Sequence, residues 1–447
     1  MAPDPARKAF HGEAPTVMPR VAVVQIGSRR NYGIPIALEQ AGALERLYTD
    51  WFTDAGWFTR ACGGLARWLR QPALARARAR AASEIPITKV VHFPVFGLQY
   101  KWKKYLAGRV GQLPRAYVWG GRAFCRRVVR HGLPPCDAVY CYSSVAKEVF
   151  EALARGKTTR LLDQGIPPLA YDDRLLREQE AVYADWARPR PKAAGVEEYA
   201  ERQRQEWALA DLILCPSQFC RRALLAEGAP QDKIRLLPFG IHPKFFKGAE
   251  RPRQADDGAL RVLFAGNSPI RKGLPDLVLA LEKLTSRHVR GTFAGEVCSL
   301  TPYAARRASL VGELLGNVPR AEMVSLYRQC DVFVLPTVSD VFPAVVLEAM
   351  AAGLPVIVTP NCGSADVVRD GIDGFIVPVR APDAIAEKLD LLASDSRLRR
   401  QMGRAAAQQA RSYTLDVYRD RLMKVIHEAF ANPRTAHCQS QVRGSDA

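Results

Sequence analysis

Glu348 is the only polar side chain across residues 341–358, within the stretch VSDVFPAVVLEAMAAGLPVIVT that covers 338–359. An unpaired carboxylate costs several kcal/mol to bury, so a lone Glu among apolar residues calls for a partner or a task. Ser339 and Asp340 are suited to cap a helix, and Pro343 is tolerated in a first turn. The spacing predicts a helix over 344–352, stopped by Gly353 and Pro355, and a short buried strand over 356–358. The helix start at Phe342, Pro343 and Ala344 can face an anion, although Pro343 has no N–H to give.

A second segment carries complementary charge. In RVLFAGNSPIRKGLPDLVLALEKL, over 261–284, a predicted strand ends at Gly266, Asn267 follows, and Gly273 turns the chain into a helix. Arg271 and Lys272 sit in that turn. Adjacent cations at a strand-to-helix turn suit a diphosphate, which needs positive charge and donors in a small volume. The turn is not a Walker A loop, lacking a Gly before the Lys and a Ser or Thr after it, nor is it a GxGxxG fingerprint. An exposed cationic turn is the plain alternative. Asp340 and Glu348 would lie roughly 12 Å apart in a continuous helix, a separation that suits the sugar and ribose ends of one nucleotide sugar.

These segments need a scaffold, and the periodicity supplies one. A strand over 21–26 leads through Gly27 and Ser28 to Gly33 and a helix over 34–41, the opening of a doubly wound α/β sheet. Arg29 and Asn31, in that turn, are candidates to face the cleft. Strands over 138–141, 159–162, 212–215 and 234–237 continue the series, with helices over 145–154 and 218–227, the latter capped by Ser217. A polar, helix-prone stretch spans 175–208. After a charged linker over 246–258 the alternation restarts, with strands over 261–265, 291–294, 332–335, 356–358 and 375–377. Helices are expected over 277–284, 321–328 and 415–430, and from about 384 and 398. The expected order is therefore a leader over 1–19, an N-terminal domain over 20–245 and, after the linker, a second domain over 259–413. A helix over 414–431 and a disordered tail over 432–447 complete it.

The chain has 447 residues, enough for two cores, and its apolar fraction of 48% is that of an ordinary globular protein. No run of 18 apolar residues exists, and the N-terminal segment lacks a signal-peptide core. The ten cysteines form no CxxC pair or zinc spacing, which points to free thiols in a reducing cytosol and no structural metal. Net charge is +19, and between Arg60 and Arg130 there are sixteen Lys and Arg against one acid, Glu84. Trp68, Tyr100, Trp102, Tyr117 and Trp119 are interleaved with them, and RACGGLARWLRQPALARARARAA reads as an amphipathic helix. That basic insertion, over 57–131, suits an anionic membrane surface. A solvated basic face is the plain alternative, and nucleic acid is not expected because no binding module is recognisable.

The C-terminal half resembles the retaining glycosyltransferases of family four, on the residues SDVFPAVVLEAMAAGLPVIVT, the Gly266–Gly273 turn, NVPRAEMVSLYRQCDVFVLPT and DGIDGFIVP. The resemblance is close over 209–413 and loose over 21–208. It implies a GT-B fold, in which two Rossmann-like domains face a cleft and a C-terminal helix crosses back to the first. It also implies transfer from a nucleoside-diphosphate sugar to a glycan or lipid-linked acceptor, with retention and without a metal. Asp340 takes the place of the motif's first Glu, near the donor sugar, and Glu348 that of the second, on the ribose. Arg271 and Lys272 would hold the diphosphate, with Gly266, Asn267, Gly273, the helix start and Gly27 around the donor. Three departures stand out: Asp340 is one methylene shorter than Glu, Asn267 replaces an Arg, and Asp163 and Gln164 stand where many relatives place a His. His92 is the nearest candidate in sequence for that missing group. A cytoplasmic protein, peripheral on the membrane, is the implied setting. The rival expectations are a non-catalytic member of the same fold and a basic nucleic-acid-binding protein.

Overall fold

The computed structural model describes residues 18–52, 82–186, 193–246, 259–284, 289–296 and 300–431. Most of the expected leader, the linker beyond Phe246, the tail and the predicted amphipathic helix over 60–82 lie outside the described residues.

Short apolar runs such as VAVV, LILC, VFVL and VIV become strands buried on both faces, as parallel sheets require. The first sheet contains β1 (Val21–Val24), β2 (Leu44–Thr49), β3 (Val90–His92), β4 (Ala138–Tyr142), β5 (Thr159–Asp163), β6 (Leu212–Cys215) and β7 (Ile234–Leu236). Its order is β3-β2-β1-β4-β5-β6-β7. The second contains β8 (Leu260–Ala265), β9 (Val289–Ala294), β10 (Gly312–Gly316), β11 (Val332–Leu335), β12 (Val356–Val358) and β13 (Gly374–Ile376). Its order is β10-β9-β8-β11-β12-β13, and every pairing in both sheets is parallel.

Both sheets therefore reverse direction once, between β1 and β4 and between β8 and β11. Ligands of open α/β sheets bind at such reversals, beyond the strand C-termini, where adjacent loops diverge and leave a crevice. The two glycine-bearing turns read from the sequence follow β1 and β8, so each lies at a reversal.

Three strands lie outside the sequence expectation. β2 reads LERLYT, whose charged residues hide its apolar positions, and β3 and β10 are edge strands with only partly buried side chains. The stretch over 175–208 is two helices, Leu169–Val182 and Val196–Leu209. The helix expected over 145–154 is shorter, Lys147–Ala152. Ser217 does cap its helix, accepting from the Cys220 N–H at 3.1 Å.

The halves exchange pieces. Tyr418, Leu422, Met423 and Ile426 of the last helix, Leu415–Ala431, pack into the core of the first sheet. Conversely Tyr183 and Trp186 pack into the core of the second. Ser217 donates to the Val341 carbonyl at 2.6 Å, and the Gln218 N–H to Asp366 at 2.6 Å. Among the described residues no helix is long and apolar enough to cross a membrane.

Gly273 is the tightest point of the β8 turn. It has φ +76°, and a Cβ there would overlap the Pro336 carbonyl oxygen beyond β11. Gly273→Ala is expected to destabilise the protein by about 1–3 kcal/mol. Urea unfolding measures this, and an unchanged midpoint would show that the turn relaxes freely.

Candidate active site

Four backbone constraints set Lys272 in place. Gly266 takes the end of β8 past Lys272 where a Cβ would come within 3.1 Å of its Cγ. Ser268, at φ 62°, accepts from the Lys272 N–H at 3.1 Å. Beyond β11, Val338 N–H and Thr337 Oγ1 both donate to the Arg271 carbonyl at 2.9 Å. Thr359 Oγ1 in turn donates to the Thr337 carbonyl at 2.5 Å, tying in the end of β12.

The result is a lysine only 8% exposed, in ion-pair contact with Asp340. Burial, aided by the Arg271 guanidinium, pushes its ammonium group down to about 7, against smaller opposing pulls from Cys362 and Asp172. Arg271 itself is half-buried, and its guanidinium has no partner among the described residues. A free cation thus stands beside a bound one.

Asp340 also accepts from the Phe342 N–H at 3.3 Å, and its backbone bridges to Cys362. The helix runs Ala344–Ala351 with Pro343 at its cap position, so neither Ser339 nor Asp340 caps it. The reason is the turn at Phe342 and Pro343, which places both side chains ahead of the helix. Ser339 instead donates across the halves to Asp172. The N–H groups of Ala344 and Val345 donate to no acceptor among the described residues, leaving that end open to an anion.

Glu348 has found partners. Its Oε1 accepts from Arg320 at 2.8 Å and its Oε2 from the Tyr327 hydroxyl at 3.0 Å. The carboxylate is 4% exposed while Arg320 is 53% exposed, so only the arginine side of this cluster faces water. Sequence reasoning had no signal for this role of Arg320 and Tyr327, although both lie in the quoted NVPRAEMVSLYRQC. Neither Asp340 nor Glu348 is presented as a bare ligand for a cation.

Asn267 accepts from the Glu296 N–H at 3.1 Å, which joins the ends of β8 and β9. Gly27 lies on the other sheet, and its N–H donates to Asp50 at 2.8 Å, so that amide is already used. Asp163 is buried between Arg30 at 2.7 Å and the Tyr140 hydroxyl at 2.6 Å. Gln164 is satisfied by Trp207 and the Ile166 carbonyl. His92 ends edge strand β3, two strands from β1, where burial lowers its pKa. Arg271, Lys272, Asp340 and the helix start are brought together, then, with Gly266 and Gly273 shaping their turn. Gly27 belongs to the opposite half.

Residues 247–409 match the family described as glycosyl transferases group 1. That match covers about a third of the chain and contains the Arg271–Lys272 turn, Asp340 and Glu348. Among curated relatives, the D-inositol 3-phosphate glycosyltransferase of Pseudarthrobacter chlorophenolicus is 31% identical over 218 residues, 45% of this chain and 52% of the relative. The N,N'-diacetylbacillosaminyl-diphospho-undecaprenol alpha-1,3-N-acetylgalactosaminyltransferase of Campylobacter jejuni is 32% identical over 113 residues, 25% and 30% of the two chains. The chain spans about half the length of the first curated relatives it matches. The solved structure of Anabaena HepE in complex with UDP and glucose superposes with a TM-score of 0.57 at 14% identity, covering 92% of this chain and 99% of that one. The two parallel sheets and this likeness make the fold GT-B. Within the matched residues, the cation pair, Asp340 and the open helix start occupy the sheet reversal.

The Glu348 cluster has a stability signature. Glu348→Ala removes the carboxylate that accepts from the buried Tyr327 hydroxyl and should cost about 1–3 kcal/mol. In the Tyr327→Phe background the same change should cost less, because that hydrogen bond is already absent. Denaturant unfolding of the double-mutant cycle checks this, and strict additivity would rule the contact out.

Proposed function

We propose that the protein is a retaining glycosyltransferase, independent of divalent metal, that moves a sugar from a nucleoside-diphosphate sugar to a glycan or lipid-linked acceptor. The observation that carries this is the buried Lys272 beside the unpartnered Arg271 at the reversal of a glycosyl transferase domain. As the sugar–phosphate bond breaks, negative charge grows on the leaving diphosphate. Two fixed cations and the amides of Ala344 and Val345 meet it without reorganising, which is where electrostatic catalysis is strongest. They supply the charge that a divalent metal supplies in other transferases.

Retention follows from a front-face displacement. The acceptor oxygen bonds to the anomeric carbon on the face the diphosphate leaves, and the acceptor proton passes to a departing phosphate oxygen. Asp340, held beside Lys272, faces the sugar. A ribose hydroxyl reaches Glu348 by displacing the half-exposed Arg320. The UDP in the HepE structure makes UDP-glucose the first donor to test.

Lys272 gives the reading a pH dependence. In the free protein its ammonium loses a proton above about pH 7, while the donor diphosphate keeps its charge. Binding must then restore the proton, so affinity for UDP-glucose should fall by up to about tenfold per pH unit between about pH 7 and about pH 9. Lys272→Arg should flatten this profile, and Lys272→Ala should weaken binding and abolish transfer. Calorimetry across pH decides, and a flat wild-type profile with unchanged affinity in Lys272→Ala would refute the site.

A lipid-linked acceptor fits a further surface. In the helix Pro94–Arg109, Val95, Leu98, Trp102 and Tyr105 are exposed at helical spacing, with Lys101, Lys103 and Arg109 exposed beside them. An apolar stripe flanked by cations suits the interface of an anionic membrane, where each basic residue adds about 1 kcal/mol. Trp102→Ser with Leu98→Ser should lower binding to phosphatidylserine vesicles about tenfold. Sedimentation measures it; equal binding of both proteins would remove this helix from membrane docking, and equal binding to neutral vesicles would remove the role of anionic charge.

A further inference from the structure

The first sheet has its own crevice at the reversal. A cavity of about 170 Å³ lies beyond the ends of β1, β4 and β5, lined by Arg29, Arg30, Tyr142, Ser143, Asp163 and Gly165 together with Ile166. Pockets for whole small molecules run to roughly 300–1,000 Å³, so this one suits a single group of a larger ligand.

Its polar inventory is unbalanced toward donors. Arg30 is neutralised by Asp163 at 2.7 Å. Arg29 donates through Nε to the Ile26 carbonyl at 3.3 Å, and its terminal nitrogens have no partner among the described residues. Tyr142 is 4% exposed, and its hydroxyl is buried with no hydrogen-bond partner. Ser143 accepts from Gln203 at 3.1 Å, which leaves its own proton to donate. One guanidinium without an ion-pair partner and two hydroxyl-bearing side chains line one small space, and a buried polar group without a partner calls for an explanation.

The backbone is strained to build it. Arg30, Asn31 and Tyr32 are consecutive left-handed residues at φ 49°, 53° and 60°. Each costs about 1–2 kcal/mol relative to the right-handed region, so the surrounding structure holds them there. Gly165 leaves the space that a Cβ would fill against Arg30 at 2.5 Å and Asp163 at 2.9 Å.

The cavity adjoins the other half-site. The Arg30 guanidinium lies 3.4 Å from the centre of the Phe239 ring, which meets Phe342 of the C-terminal half at 5.4 Å between centroids. We propose that this cavity binds an anionic oxygen group, a phosphate or a carboxylate, carried by the acceptor and held by Arg29, Tyr142 and Ser143. Assignment to the acceptor rests on the glycosyltransferase reading, whereas the anion site does not. Burial keeps the Tyr142 phenol protonated and able to donate.

Calorimetric titration of the full chain with inorganic phosphate, glucose 6-phosphate, glucuronate and glucose tests the site. Each titration is repeated with Lys272→Ala, which disables the other anion site. The inorganic phosphate heat and a preference of about tenfold for a charged sugar over glucose should both survive Lys272→Ala. Arg29→Gln should abolish both, and Tyr142→Phe should weaken them several-fold. Tyr142→Phe removes a hydroxyl that has no partner, so its thermal midpoint should not fall, which separates lost binding from lost folding. Preference for glucose 6-phosphate assigns a phosphate, and preference for glucuronate a carboxylate. Equal binding of charged and neutral sugars, or a preference indifferent to Arg29 and Tyr142, would overturn the site. UDP-glucose is titrated in parallel. If it fails to bind while the anion preference stands, the acceptor assignment falls with the glycosyltransferase reading. If it binds and the preference is absent, the anion site alone is refuted.

Discussion

Lys272 carries an ammonium group almost out of water, and an isolated charge in that position would neutralise rather than persist. Its contact with Asp340 offsets the lost hydration, and it fixes both groups before any ligand arrives. The turn geometry then has little freedom. Gly266 and Gly273 are where side chains would collide with Lys272 or the Pro336 carbonyl. Thr337 and Val338 bind the Arg271 carbonyl from the next strand, so the cation pair is held by the sheet rather than by a mobile loop. Such preorganisation is what makes fixed charge effective against charge that develops late.

Strain follows the same logic in both halves. The six non-glycine residues with positive φ among the described residues are Arg30, Asn31, Tyr32, Ser144, Ser268 and Arg380. Each follows the C-terminal end of a strand, after β1, β4, β8 or β13, where crevice and interface form. Arg380 spans the halves, donating to Gln179 at 2.7 Å and to Glu178 at 3.2 Å. Nearby, fully buried Asp276 accepts from Gln179 and Tyr183, both from the N-terminal part of the chain. The interface thus combines satisfied polar contacts with the apolar pieces that the halves exchange.

Much of this was legible because certain residues can act in few ways. Adjacent cations before a glycine, and continuous apolar runs, mark a turn and its strands wherever they occur. The turn that carries Arg271 and Lys272 followed from that, whereas the role of Asp340 entered through the family resemblance. What the sequence concealed depended on distance along the chain. Glu348 looked unexplained because Arg320 and Tyr327 lie on another helix, and only packing reveals that they reach it. Strand β2 was hidden by its charged residues, and Tyr183 and Trp186 by a position well before the core they join. Arg29 stood out as a candidate for the cleft. The unmet hydroxyl of Tyr142 could not, since a missing partner is a property of the folded neighbourhood.

Both half-sites are cationic, and this bears on how they work together. A donor diphosphate and an anionic acceptor repel one another, by about 2 kcal/mol for unit charges about 10 Å apart at an effective dielectric of about 20. On the proposed function, Arg29 on one side and Arg271 with Lys272 on the other would neutralise each anion locally, so that the approach of two substrates becomes an approach of two ion pairs. Phe239 separates the two clusters, with Arg30 stacked on its ring and Phe342 against it. Tyr418, on the helix that returns from the C-terminal half, touches both Arg30 and Phe239. The returning helix therefore sets the spacing between the charges, and a chain lacking it would lose more than its share of core. It would lose the wall that keeps two like-charged sites close without letting them collapse onto each other.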